Sequence, residues 1–188
     1  MSLHIAGASS GTVQSAKLAA AQVDADITVI DTESCSMGQG FLVIAAALAA
    51  KAGRSAEDII GLVESWKKLS QVWVAVPTLK FLARSGRITK LQAALASLLN
   101  IKPLLSMVDG RPQMIEKTRS YRKAVERILT LAEESFGKVP VHIAVVHSHA
   151  PEEAAKFKAA IEKRLKCTEC WITEIGAALA AHGGQGML

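Results

Sequence analysis

Two short segments place polar side chains beside glycines, where the backbone stays open to a ligand. Ser10-Gly11-Thr12 stands at the start of a helical pattern. Small hydroxyl residues there aim O–H groups and the free N–H groups of the first helical turn at an anion, with a plain N-cap as the alternative. His182 is followed by Gly183, Gly184 and Gly186, which permit unusual backbone angles and close approach to a ligand. Arg87 follows Gly86 in a loop; its guanidinium suits a carboxylate or phosphate, and a solvated surface arginine is the other reading. His142, His147 and His149 lie along one strand and its end, and His142 reads as a packed or edge histidine rather than a ligand. Cys167-Thr168-Glu169-Cys170 is a C-x-x-C pair. Zinc would need two further ligands, for which His147 and His149 are the options; otherwise the pair is two reduced thiols at a strand edge.

The patterns of several enzyme classes are missing. There is no G-x-x-x-x-G-K-S/T phosphate loop, no G-x-S-x-G elbow and no H-E-x-x-H pair. Gly38-Gln39-Gly40 lacks the third glycine of a dinucleotide fingerprint. A serine hydrolase or transferase using Ser10 and His182 stays open as an alternative, but no motif selects it.

The chain has 188 residues, half of them hydrophobic, and a mean hydropathy of +0.26. No apolar run reaches the roughly 20 residues that span a bilayer, and the first residues lack a secretory leader's basic flank and apolar core. Three cysteines do not make a disulfide framework. The expected location is the cytoplasm. Charge is unevenly spread: Lys80–Arg127 holds eleven Lys and Arg against Asp109, Glu116 and Glu126, a surplus of eight, while the whole chain carries +5. With aromatic residues at 4%, stacking platforms for single strands are not expected, so nucleic acid is set aside in favour of an acidic partner, an anionic ligand or a solvated face.

The elements that must position these residues alternate. Periodicity predicts helices over Thr12–Val23, Met37–Lys51 and from Ser55, as N-cap, to Leu69. Short β-branched runs at Ile27–Ile30 and Val72–Val76 predict strands, and a short helix follows at Thr78–Ala83. Beyond the Ser85-Gly86-Arg87 loop, a helix is predicted over Lys90–Leu98. Ile101–Val108 and Pro112–Lys117 flank Asp109-Gly110, a hairpin signal. Ser120–Phe136 is amphipathic, with Val125, Ile128, Leu129, Ala132 and Phe136 on one face. Val141–Val146 and Trp171–Ile175 read as strands, Pro151 opens the helix between them, and the chain ends in a glycine-rich loop at His182–Gly186. The fold class is α/β: an incomplete three-layer parallel-sheet domain over residues 1–84, then a smaller α+β domain over 85–188.

Taken in order, these segments resemble the DegV family of bacterial fatty-acid-binding proteins. Ser10-Gly11-Thr12 resembles its S-G-T turn. Asp31-Thr32-Glu33-Ser34 with Ser36-Met37-Gly38-Gln39-Gly40 resembles its D-S/T-x-x-x-S-x-G-x-G segment. Leu79, Leu82 and Ser85-Gly86-Arg87-Ile88 are similar to its L-x-x-L-x-x-x-G-R-I signature. Asn100-Ile101-Lys102-Pro103 with Asp109-Gly110 matches its central strand pair. Lys117-Thr118-Arg119 sits at its basic turn, and Glu174-Ile175-Gly176 with His182-x-Gly184-x-Gly186 resembles its C-terminal loop.

The resemblance implies a fatty acid threaded between two domains and no catalysis by the chain itself. The bound acid would be presented to a separate fatty acid kinase, which phosphorylates the carboxylate for phospholipid synthesis. No metal and no cofactor beyond the fatty acid ligand are implied, and transient membrane contact is compatible with this job. Ser10, His182 and Arg87 would meet the carboxylate. Gly11, Thr12, Gly183, Gly184 and Gly186 would form the ligand loops, and Arg119, Arg122 and Lys123 would dock the kinase. The family's N-terminal segment, with its T-S-x-P-S motif, is not matched, and Ser9 stands where leucine is usual. Loss of those strands would expose an edge near Ile27–Ile30, which predicts a homodimer or another covering partner. A non-binding remnant or interaction module is the alternative.

Overall fold

The computed structural model describes residues 1–86 and 101–188. Packing divides the chain into two units. One is Met1–Val72 with Met107–Pro112, the other Trp73–Ser106 with Gln113–Leu188, a division that differs from the expected one after residue 84. The predicted helix at Lys90–Leu98 lies outside the described residues.

The first unit is a β-α-β start followed by two helices. Strands β1 (Ser2–His4) and β2 (Val29–Asp31) pair in parallel, Leu3 opposite Ile30, joined through helix α1 (Thr12–Ala20). Helix α2 spans Ser36–Lys51 and helix α3 spans Ala56–Leu69. Ser55 caps α3 as expected, its side chain accepting the N–H of Asp58, and Glu57 and Asp58 place negative charge on the positive end of the helix. The apolar stripes of α2 and α3 meet under β2, so Ile30, Leu42, Ala46, Ile59 and Val63 form one buried cluster. Leu42 is 1% exposed.

Strand β3 (Trp73–Ala75) of the second unit pairs antiparallel with β4 (Lys102–Val108), which continues through Asp109-Gly110 into β5 (Arg111–Thr118); the tip of this hairpin, Met107–Pro112, is counted with the first unit. Asp109 and Gly110 have φ of 50° and 70°, the left-handed pair that a two-residue hairpin turn requires and that Asp-Gly supplies. Short helix α4 is Lys80–Ser85. Helix α5 (Tyr121–Phe136) and helix α6 (Pro151–Arg164) pack on parallel strands β6 (Val141–His147) and β7 (Cys167–Glu174). The predicted stripe of α5 is the buried one: Ile128, Leu129 and Ala132 join Phe157 and Ile161 of α6 in the main core, with Val125 and Phe136 against it. Trp73 meets Phe136 edge to face at 5.9 Å. A second, aliphatic cluster gathers Val76, Leu79, Leu82, Leu105 and Met187.

Two expectations are corrected here. Strand β7 begins at Cys167, not Trp171; a register shift between Val141 and His142 passes over Thr168 and lets Cys167 and Glu169 join the ladder. The glycine-rich end is not a free loop. Helix α7 (Ala177–Gly183) carries His182 in its last turn, and the residues beyond are tied down. Ala75 and Leu188 exchange backbone hydrogen bonds of 2.7 and 3.1 Å, Ser148 N–H donates to Met187, and Gly186 N–H donates to Ser148. Met187 and Leu188 are buried. Among the described residues, no helix is long and apolar enough to cross a membrane.

Candidate functional site

Ser10 is positioned by a compact turn at the carboxyl end of β1. The Ala6 carbonyl accepts the N–H groups of both Ser9 and Ser10, and Ala6 N–H donates to the Ser34 carbonyl. Asp31, at the end of β2, frames the same turn: its carboxylate accepts Gly7 N–H at 3.1 Å and Glu33 N–H at 2.9 Å. Thr32 is buried and donates its hydroxyl to the His4 carbonyl at 2.7 Å. The Asp31-Thr32 pair therefore builds the loop. Ser9 donates to the carbonyl of Gly110 at 2.6 Å, which explains a serine there in physical terms.

The Ser10 and Thr12 hydroxyls lie 2.7 Å apart, and Thr12 N–H reaches Ser10 Oγ at 3.3 Å. The N-cap position of α1 is Gly11, without a side-chain cap, so Ser10 acts from one residue further out. One hydroxyl of the pair donates to the other, leaving a hydroxyl proton for an incoming acceptor. The first N–H groups of α1 add positive potential at the same place. Gly11 is exposed, and a side chain on it would meet nothing.

His182 is half-buried in the last turn of α7. Gly184 follows with φ +81° and closes the helix by donating to Ala180 at 2.7 Å. Gly183 is covered by Met187, and Gly186 also has φ +81°. Arg87 lies outside the described residues. Arg119, Arg122 and Lys123 are exposed around the start of α5, where Ser120 accepts Lys123 N–H at 3.1 Å. The structure thus groups Ser10, Gly11 and Thr12 in the first unit, and His182, the C-terminal glycines and the basic trio in the second.

Two other features differ in chemistry. A cavity of about 300 Å³ in the first unit is lined by Thr32, Glu33, Lys67, Lys68 and Asp109, walls too polar for an acyl chain. Lys67 is held there by Glu33 at 2.8 Å and Glu64 at 3.1 Å. Burial alone would lower its pKa, but the bonds to the two carboxylates outweigh it and raise the value. Cys167 and Cys170 are free, half-buried thiols, and burial pushes Cys170 up to about 11. No group of three or more metal-ligating side chains gathers among the described residues, so the zinc option finds no set of ligands there.

Comparison with known proteins extends over the whole chain. A family model described as "Uncharacterised protein, DegV family" matches residues 1–188. Protein DegV of Bacillus subtilis is 36% identical over 191 residues, covering 100% of this chain and 68% of that protein. A crystal structure described as DegV, a fatty acid binding protein from Bacillus subtilis, superposes with a TM-score of 0.86 at 34% identity, covering 99% of this chain and 68% of that one. A DegV family protein from Thermus thermophilus, described by its fatty acid binding, superposes with a TM-score of 0.89 at 34% identity, covering 98% and 68%. The chain spans about two thirds of the length of these relatives. By sequence along its full length and by the arrangement of its α/β elements, the chain belongs to the DegV family.

Proposed function

We propose that this chain binds a long-chain fatty acid, performs no chemistry on it, and presents its carboxylate to a separate fatty acid kinase whose acyl phosphate product feeds phospholipid synthesis. The observation that carries the reading is the likeness, over nearly the whole chain, to DegV proteins described as fatty acid binding. A carboxylate leaving water needs donors. The paired hydroxyls of Ser10 and Thr12 at the start of α1 offer them, and His182 at the end of α7 offers a charge-assisted one. Burying a palmitate-length tail yields about 12 kcal/mol in gross terms, at about 0.8 kcal/mol per methylene. Association and ordering offset much of it.

The kinase part of the reading is supported by Arg122 and Lys123. They stand exposed in the first turn of α5, and no acidic residue is present in that turn. Cations there oppose the helix dipole, so they weaken the helix, and an acidic docking partner accounts for keeping them. Titration calorimetry with a long-chain fatty acid tests the site. Ser10→Ala and His182→Ala each remove one hydrogen bond to a charged group and should weaken binding roughly tenfold or more. Unchanged affinity in both variants would remove the assignment.

A further inference from the structure

Residues three apart on an unbroken strand point to opposite faces. Cys167 and Cys170 do not. Strand β7 sets Cys167 opposite Val141, Glu169 opposite His142 and Cys170 opposite Ile143, so Thr168 is an extra residue bulged out of the ladder. Val141 and Ile143 stand two apart on β6 and share a face, and their partners Cys167 and Cys170 therefore share one too. All four side chains pack against the main core, while Thr168 and Glu169 are exposed. Positions two apart on a strand are separated by roughly 6.6 Å at Cα, within the roughly 6.8 Å that a disulfide bridges. The two thiols are hydrogen-bonded to each other. Cys35, the remaining cysteine, belongs to the first unit. We propose that Cys167 and Cys170 close to a reversible disulfide when the protein meets a low-molecular-weight disulfide, which makes the β7 bulge a site of oxidative modification. This inference is independent of the fatty acid reading.

The two thiols have different roles in that exchange. Burial, then the Glu162 carboxylate, raises the Cys167 thiol, while the hydrogen bond from Cys170 and the Lys158 ammonium favour its thiolate. Burial, then Cys167 itself, pushes Cys170 up to about 11. Cys167 is thus the first to ionise, with Cys170 as its S–H donor. The Cys167 thiolate attacks one sulfur of the oxidant. The oxidant's S–S bond breaks, a mixed disulfide forms on Cys167, and the first thiol leaves with the proton that Cys167 gave up. Cys170 then loses its proton and attacks Cys167 Sγ. The mixed bond breaks, the Sγ–Sγ bond forms, and the second thiol leaves with that proton. The pair has given up two electrons and the oxidant has become two thiols. Because both thiols are raised, the first step is slow at neutral pH and quickens with alkali.

The test incubates the folded protein with excess glutathione disulfide, then alkylates it in denaturant and measures intact and peptide masses. The protein should lose two hydrogens, keep Cys35 alone open to alkylation, and yield a peptide linking Cys167 to Cys170. Dithiothreitol should restore alkylation at both. The rate should rise about tenfold per pH unit between about pH 7 and pH 9. Cys170→Ser should stop at a glutathione adduct on Cys167, and Cys167→Ser should take up glutathione at least about tenfold more slowly. Folded protein that keeps both thiols alkylatable would overturn the proposal, as would a bond that forms only after unfolding in urea. Equal rates of adduct formation in the two serine variants would overturn the assignment of Cys167 as the attacking thiol.

Discussion

Replacing Lys123 by glutamate should make this protein more stable and a worse kinase partner. Tyr121 is the first helical residue of α5, so Lys123 is the third, and its N–H already donates to the capping Ser120 hydroxyl at 3.1 Å. Lys123→Glu converts Ser120-Tyr121-Arg122-Lys123 into a Ser-x-x-Glu capping box, in which the new carboxylate reaches back to the cap's backbone. It also exchanges a charge that opposes the helix dipole for one that favours it. Each half of that exchange is worth about 0.3–1 kcal/mol at an exposed site, so a net gain of about 1 kcal/mol is expected. For a chain of this size that raises Tm by roughly 2–4 °C. Thermal unfolding followed by circular dichroism reads the gain, which should shrink at high salt. Acyl phosphate formation with the cognate kinase should fall in the same variant. A lower or unchanged Tm would refute the argument about the helix start, and undiminished kinase turnover in the more stable protein would refute the docking assignment.

Two further predictions concern the first unit. Burial raises the Cys35 thiol from its ordinary value near 9 to about 11. The folded state therefore holds the proton more tightly than the unfolded chain, so this contribution to stability is intact below about pH 9 and is lost as the pH climbs toward 11. Urea unfolding across that window should show a slope that Cys35→Ala flattens, and an unchanged slope would contradict the burial argument. On α2, Val43 and Leu48 are 40% and 62% exposed, and among the described residues β1 and β2 form a two-stranded sheet. Self-association through this surface should appear in sedimentation as a dimer that Leu48→Glu dissolves, and a monomer at every concentration would exclude it.

How much of this was legible in the sequence depended on how local each cause was. The Ser55 cap, the Asp109-Gly110 turn and the α5 stripe are set by neighbours within a few residues, and they were read correctly. The start of β7 was missed because a register shift, passing over Thr168, lets Cys167 and Glu169 join the ladder without an alternating pattern. The helical state of His182 was missed because the glycines after it mask an Ala177–Ala181 run with strong helix propensity. What pins the chain's last residues is Ala75, more than a hundred positions away.

Native mass spectrometry of the protein purified from a bacterial host, followed by lipid extraction, tests the central claim most directly. The account predicts one added mass per chain, released as an unmodified long-chain fatty acid and lost in a Ser10→Ala, His182→Ala double variant. A chain that flies only at its own mass, and still takes up no fatty acid after incubation with an excess, would contradict it.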